Sequence, residues 1–228
     1  EAKFLRAHYH MDAKKIWGNI PYIIETTEVV PVNDTDVWPN IEEDLQYAID
    51  NLPNTQNDKG RPTAWVAKSY LAKAHMFQND YTAAKPILND VIQNGPYTLV
   101  DNYHDNFNGD KNNNSESVFA VQNSVNDGGQ GVWNGNTGNR LNHPYAADAP
   151  GGGCCGFFQP TQNLVNAYKT DVNGLPLLDT FNDVDVKNDQ GIPSSDPFTP
   201  YTGTLDPRLD WTVGRRGIEY LGWGEMPG

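Results

Sequence analysis

The sequence predicts a mainly α protein, built of helical hairpins in its first part and of a long irregular, loop-rich region with a few short strands in the rest. Three observations carry that prediction. Apolar residues recur at helical spacing as far as residue 98 and lose the period beyond it. The stretch from Trp65 to Thr98 places small and large side chains where two close-packed antiparallel helices need them. Composition points to ordered loops rather than disorder: the hydrophobic share is only 37%, with 21 Gly and 16 Pro, yet six Trp and 11 Tyr are too many aromatics for an unstructured chain.

The stretch WVAKSYLAKAHMFQNDYTAAKPILNDVIQNGPYT reads as one hairpin of the tetratricopeptide type. With Trp65 as the first position of a unit of about 34 residues, Leu71 and Ala72 fall at the Leu-Gly pair. Ala84 falls at the small crossing position, Leu88 at the large apolar one and Pro96 at the terminal Pro. Small residues let the two backbones approach, and Leu-sized side chains fill the flanking gaps. Asn79-Asp80 supplies the turn and the cap. Pro86 lacks the N–H for a helical bond and predicts a kink or a late start of the second helix.

Upstream, Glu1 to Trp17 has Phe4, Leu5, Tyr9, Ala13 and Ile16 or Trp17 at a period close to 3.6, ended by Gly18-Asn19 and by Pro21. Asn40 with Glu43 forms a capping box before a helix from Ile41 to Asn51. Ile41, Leu45, Ala48 and Pro53 repeat the types at Ala84, Leu88, Val91 and Pro96, so a second unit is visible, interrupted by an insertion of roughly 23 residues. The expected helices are therefore about 1–17, 40–52, 62–79 and 81–95, a scaffold over residues 1–98. About three repeats are needed for a continuous core, so others lie outside this chain or the rest of the chain takes their place.

Beyond the hairpins, Tyr97 to Val100 and Glu116 to Gln122 are strand candidates on either side of a turn-rich tract. Residues 123–160 hold no regular pattern, and loops of that length inside a domain are usually functional or disordered. Trp133, Tyr145, Phe157 and Phe158 argue for order. A short helix is expected from Thr161 to Tyr168, with Leu164 and Tyr168 on one face, and Asp206-Pro207-Arg208 reads as a turn with Arg208 in an ion pair.

A net charge of −13 repels phosphate backbones and anionic membranes, which argues against nucleic-acid binding. No stretch approaches the ~20 apolar residues of a membrane span, and no signal peptide is visible. Glu1 already lies in a helical pattern and Pro227-Gly228 closes no element, so the sequence reads as an internal piece of a longer protein.

EAKFLRAHYHMDAKKIWGNIPYI, IEEDLQYAIDNLP, DYTAAKPILNDVIQNGPYTLVDNY, ESVFAVQNS, QPTQNLVNAYKTDVNGLPL and DPRLDWTVG resemble, in order, the motifs of the SusD/RagB family of nutrient-binding outer-membrane proteins. The resemblance covers nearly the whole chain. It implies a SusD-like fold in which a helical scaffold carries a ligand-binding region, here 99–228 of the same domain. It further implies a surface lipoprotein of Bacteroidota, on the extracellular face of the outer membrane, seated as a lid on a SusC-like TonB-dependent transporter. Members bind oligosaccharides or other nutrients, need no cofactor and are not enzymes. The family's N-terminal lipid-bearing Cys, the membrane anchor, is not among these residues.

A glycan site needs flat aromatic platforms for sugar C–H faces together with amides and guanidinium groups for the hydroxyls. The tract Asn123 to Tyr145 has this mixture in Trp133, Asn134, Asn136, Arg140, Asn142, His143 and Tyr145. The resemblance places ligand contacts in this region without aligning particular residues. Trp133 and Tyr145 read equally well as anchors for a long loop, and Arg140 as a partner of Asp148. Cys154-Cys155 is either a pair of small buried thiols behind a Gly-rich turn or a strained vicinal disulfide beside the ligand. Asp179, Asp183, Asp185 and Asp189 miss the spacing of a calcium loop, so a solvated loop is expected. His8, His10, His75, His104 and His143 lack the spacing of a zinc site. No nucleophile, phosphate-loop or metalloprotease motif is present, and no pair of carboxylates stands out for glycosidic cleavage. Besides glycan capture, a tetratricopeptide-type adaptor for a peptide or protein and a glycan-cleaving enzyme stay in view.

Overall fold

Helix α1, Ala2–Trp17, buries Phe4, Ala7 and Met11 along one face and ends where Gly18, at φ +72°, donates its N–H to the Lys14 carbonyl. Its stripe is narrower than the sequence pattern suggested. Small Ala7 and flexible Met11 face inward, while Tyr9, Ile16 and Trp17 stand exposed. The computed structural model describes residues 1–24, 32–122, 149–150 and 159–228. The chain divides into two compact units, Glu1–Gln122 and Asn123–Gly228.

Helix α2, Trp38–Asn51, starts before Asn40, so the expected capping box does not form. Val37 stands at the N-cap without a side-chain bond, and Pro39 sits in the first turn, where its fixed φ suits a helix and its missing N–H costs nothing. Trp38 is thereby turned inward beside Ile41, Leu45 and Ala48. Helix α3, Ala64–Phe77, is capped by Thr63, whose side chain accepts from the Val66 N–H. Helix α4, Tyr81–Asn94, is capped by Asp80, which accepts from the Ala83 N–H after a turn through Asn79 at φ +61°. Pro86 lies inside α4, which begins at Tyr81, so the late start does not occur. Its ring is exposed, and Ala84 and Val91 carry the buried face.

Packing runs in sequence order: α1 on α2, α2 on α3, α3 on α4, with little between α1 and α3. The core holds Phe4, Met11, Ile41, Leu45, Val66, Ala67 and Leu71. Asp44 is set into this apolar frame with 1% of its surface exposed. It accepts two bonds of 2.7 Å from Arg6 and one of 2.6 Å from the Tyr22 hydroxyl, with Lys3 at 3.6 Å. Burial is the largest influence on this carboxyl and pushes it up, but the Arg6 and Tyr22 bonds and the Arg6 and Lys3 charges together hold it below the usual carboxylate range. Burial and the Asp44 bond push the Tyr22 phenol up.

Neither expected strand forms. Thr98 donates its N–H to Ser115, the Ser115 hydroxyl returns a bond to Thr98, and the Val100 N–H goes to the Glu116 side chain, a clasp in place of a ladder. Two single turns of 3-10 helix, Tyr103–Asn106 and Gly109–Lys111, are capped by Asn102 and Asn108. Phe119 then packs edge-on to Phe4 at 5.2 Å, which joins the clasp to the helices and extends the first unit past residue 98 to Gln122.

In the second unit the regular elements are two short helices, α5, Gln162–Asn166, and α6, Leu209–Thr212, with isolated antiparallel bridges such as Lys169 to Leu205 and no sheet among the described residues. Helix α5 is shorter than expected and turned differently: Leu164 is exposed, and Asn166 and Lys169 are buried. Asn166 accepts from the Val186 N–H at 2.9 Å and from Gln162 at 2.9 Å, and donates to Asp185 at 2.7 Å and to Asn182 at 3.1 Å. Lys169 reaches the Val184 carbonyl. Among the described residues of this unit, Ala149, Val186, Leu209 and Val213 are the buried apolar ones. No helix among the described residues is long and apolar enough to cross a membrane.

Candidate functional site

Trp133, Asn134, Asn136, Arg140, His143 and Tyr145, with Cys154 and Cys155, lie outside the described residues. The Asp206-Pro207-Arg208 turn forms as the sequence indicated, with the Arg208 N–H and guanidinium both on the Asp206 carboxylate. The acidic run is divided among other duties: Asp185 accepts from Asn166, and Asp189 lies 3.8 Å from Arg216. No group of three or more His, Cys, Asp or Glu side chains among the described residues is arranged to hold a metal ion. His10 bonds the Arg6 carbonyl and the Ile23 N–H, His8 lies 3.7 Å from Asp12, and His75 lies 3.5 Å from Glu42.

Three concavities are built from the described residues, two in the first unit and one in the second; an open one of about 570 Å³ lies over the Asp44 cluster, beside Lys3, Arg6, Tyr22 and Glu43. The first unit has an open cleft of about 360 Å³ between the α2–α3 connection, Pro96-Tyr97 and residues 113–120. Gly60 closes one end at φ +81°, where an added Cβ would stand 2.7 Å from the Gln122 side chain. Its walls mix amides and hydroxyls such as Asn113, Asn114 and Ser115 with the charged Asp58, Lys59 and Arg61 and the apolar Val66, Val118 and Phe119, and Asn113 is bonded to Gln122 outside the lining.

The second unit has a smaller pocket of about 110 Å³, to which α5, residues 186–189, residues 198–201 and the chain after α6 all contribute. Val186 and Val213 are its buried apolar floor. Gln162 bonds the Val186 carbonyl and accepts from Asn188, which fixes two amides in the wall. The Phe198 ring has the Lys187 ammonium 4.9 Å and the Arg216 guanidinium 5.5 Å from its centre, a cation–π arrangement that holds all three side chains. Lys187 also donates to the Thr199 carbonyl at 2.6 Å. Arg216 donates to the carbonyls of Pro193, Ser194 and Asp196 at 3.2, 3.0 and 2.7 Å. Arg215 forks onto Asp210 at 2.7 and 3.0 Å. Tyr201 lies over Gly203, where an added Cβ would stand 2.3 Å from the phenolic oxygen.

This pocket combines an aromatic wall, fixed amides and guanidinium groups, the residue types that pair sugar rings and their substituents. The sequence pattern points instead to residues 123–145. The signals were present as two aromatics three apart in Phe198-Thr-Pro-Tyr201 and a vicinal Arg pair, but they lie far apart in the sequence and carry no period.

The family model described as the SusD family matches residues 115–225, a span that contains every residue of the second unit's pocket. A SusD-like protein of Bacteroides ovatus is 36% identical over 139 residues, which is 54% of this chain and 25% of that protein. A SusD-like protein of Formosa agariphila is 30% identical over 129 residues, 53% of this chain and 24% of that protein. A crystal structure of a SusD-like protein from Bacteroides fragilis covers 99% of this chain and 45% of its own, with TM-score 0.66 and 22% identity, a likeness of fold. The chain spans about a quarter of the length of these curated relatives. The family match over residues 115–225 and the relatives of that name over about half of the chain make it similar to the SusD family, and its helical hairpins followed by a loop-rich unit agree with the SusD-like fold.

Proposed function

We propose that the protein captures oligosaccharides at the extracellular face of the outer membrane and delivers them to a SusC-like TonB-dependent transporter without cleaving them. The observation that carries this reading is the SusD family match over residues 115–225. That span includes both the aromatic and amide-rich tract around Trp133 and the pocket that Phe198, Tyr201 and Gln162 help to form. In this reading Trp133 and Tyr145 are sugar platforms, and Asn134, Asn136, Arg140 and His143 pair hydroxyls. Cys154 and Cys155 are either a pair of buried thiols or a vicinal disulfide that stiffens the neighbouring loop, which a mass measurement before and after reduction and alkylation decides. Attachment to the membrane is through an N-terminal lipid.

Calorimetric titration of the full chain against a panel of plant, host and microbial oligosaccharides tests the proposal. Saturable binding of one class is expected, with no new reducing ends on incubation. Trp133→Ala should weaken it about three- to tenfold, the value of one aromatic contact. A folded protein that binds nothing in the panel would sink the glycan reading, and unchanged affinity in Trp133→Ala would remove that residue from the site.

A further inference from the structure

We propose that the pocket of the second unit is a subsite for a negatively charged substituent, a carboxylate or a sulfate carried on a sugar; this rests on the glycan-capture reading and narrows its substrate class to acidic glycans. The first reason is a local reversal of charge. The chain has 29 Asp and Glu against 16 Lys and Arg, yet among the described residues the lining of this pocket holds Lys187, Arg215 and Arg216 and one carboxylate, Asp189. Counting Asp210, which Arg215 grips from outside the lining, the cluster keeps a positive excess in a protein of net charge −13.

The second reason is how the cations are held. The side chains of Arg215 and Arg216 are 14% and 10% exposed, so their charges are partly removed from water and act through a medium of lowered dielectric. Arg216 is steadied mainly by three neutral carbonyls and the Phe198 ring, and its nearest carboxylate, Asp189, is 3.8 Å away and 42% exposed. Lys187 is held by one carbonyl and the same ring. Carbonyls and rings orient a cation without cancelling its charge. An arriving anion therefore meets preorganised positive groups that need no reordering.

The third reason is size. The pocket's volume of about 110 Å³ is well below the roughly 300–1,000 Å³ of a site that encloses a whole small ligand. A carboxylate or sulfate with the edge of one ring fits that space, and an oligosaccharide does not. The pocket is therefore built to read a substituent while the chain of sugars runs elsewhere.

The test uses matched ligands on the full chain: a galacturonic acid oligosaccharide against its fully methyl-esterified form, and a sulfated oligosaccharide against its desulfated form. One or both acidic ligands should bind about tenfold tighter than the neutral counterpart, the scale of a charge-assisted hydrogen bond. The preference should shrink on raising salt from roughly 0.05 to 0.5 M. Lys187→Gln, at an exposed position, should remove most of the preference by weakening the acidic ligand more than its neutral counterpart. A preference only within the uronate pair, or only within the sulfate pair, identifies the anion. Equal affinity within both pairs overturns the inference and leaves glycan capture standing, as does a preference that survives Lys187→Gln. If no oligosaccharide binds, glycan capture fails. Amide chemical shifts around Lys187 and Arg215 on adding free galacturonate or inorganic sulfate then decide the pocket alone: shifts abolished in Lys187→Gln keep it as an anion site, and silence overturns it.

Discussion

In residues 1–122 the largest fully buried side chains include Phe4, Met11, Ile41 and Leu45, whereas in the described part of the second unit they are Leu209, Val186 and the amide of Asn166. The first unit excludes water with apolar surface spread over four helices, and sets one ionic cluster at Asp44 within it. The described part of the second has little helix to present an apolar face, and there Asn166, Lys169 and Arg216 tie its turns by reaching backbone carbonyls and amides. The difference is one of specification. Apolar packing tolerates exchange of similar volumes, while a buried amide with four partners admits one geometry and few substitutes.

Phe4→Ala should be the most costly single change. It removes a side chain with no exposed surface and two edge-on aromatic contacts, to Tyr70 and Phe119, and should cost about 3–5 kcal/mol in urea denaturation. A loss below about 1 kcal/mol would mean that the first unit is not held by its helix core.

Asp44→Asn should come next, at about 1.5–3 kcal/mol near neutral pH, from the loss of charge-assisted bonds to Arg6 and Tyr22. Its pH dependence has a definite sign. A carboxyl held below its unfolded value of about 3.9 contributes its full stability above that value and loses it as pH falls through the lower, folded one. Wild type and variant should therefore differ by a constant amount from pH 7 to about pH 4 and converge in stronger acid. A gap that widened on acidification would contradict the cluster as described.

Asn166→Ala should cost about 1–3 kcal/mol, since it leaves the Val186 N–H without its partner. The more telling outcome is locality. Hydrogen exchange should quicken at Val186 and Asp185 and stay unchanged in α1 to α4. Faster exchange in the helices as well would erase the contrast between the two modes of construction.

The sequence carried the four long helices because each has a period, a cap or a turn that can be read without tertiary knowledge: Asp80 and Gly18 stand where the structure uses them, while Thr63 caps α3 inside the span expected to be helical. It misled at Asn40, where a good capping pair was overruled by Pro39 and by the burial of Trp38. It misled again at Glu116 to Gln122, where apolar alternation suggested a strand but Phe119 was recruited into the helix core. The second unit's pocket was illegible for a different reason. Its walls come from residues 162, 186–189, 198–201 and 213–216, and no local pattern announces that such distant residues meet. The acidic composition pointed away from a cationic site, because a net charge averages over the local excess at Lys187, Arg215 and Arg216.

The sequential packing of α1 to α4 has a consequence for synthesis. Each helix finds its partner in the helix just made, so α1 to α4 have a low contact order and can assemble quickly as the chain emerges, with Phe119 closing onto Phe4 afterwards. The second unit must wait: Thr204 and Thr170, which clasp each other's backbone, are 34 residues apart, and the Tyr168 and Thr212 hydroxyls are 44 apart. Pulse-labelled exchange during refolding should find helix amides protected before those of Thr170 and Asp206. The region that carries the candidate pocket is thus the last to mature.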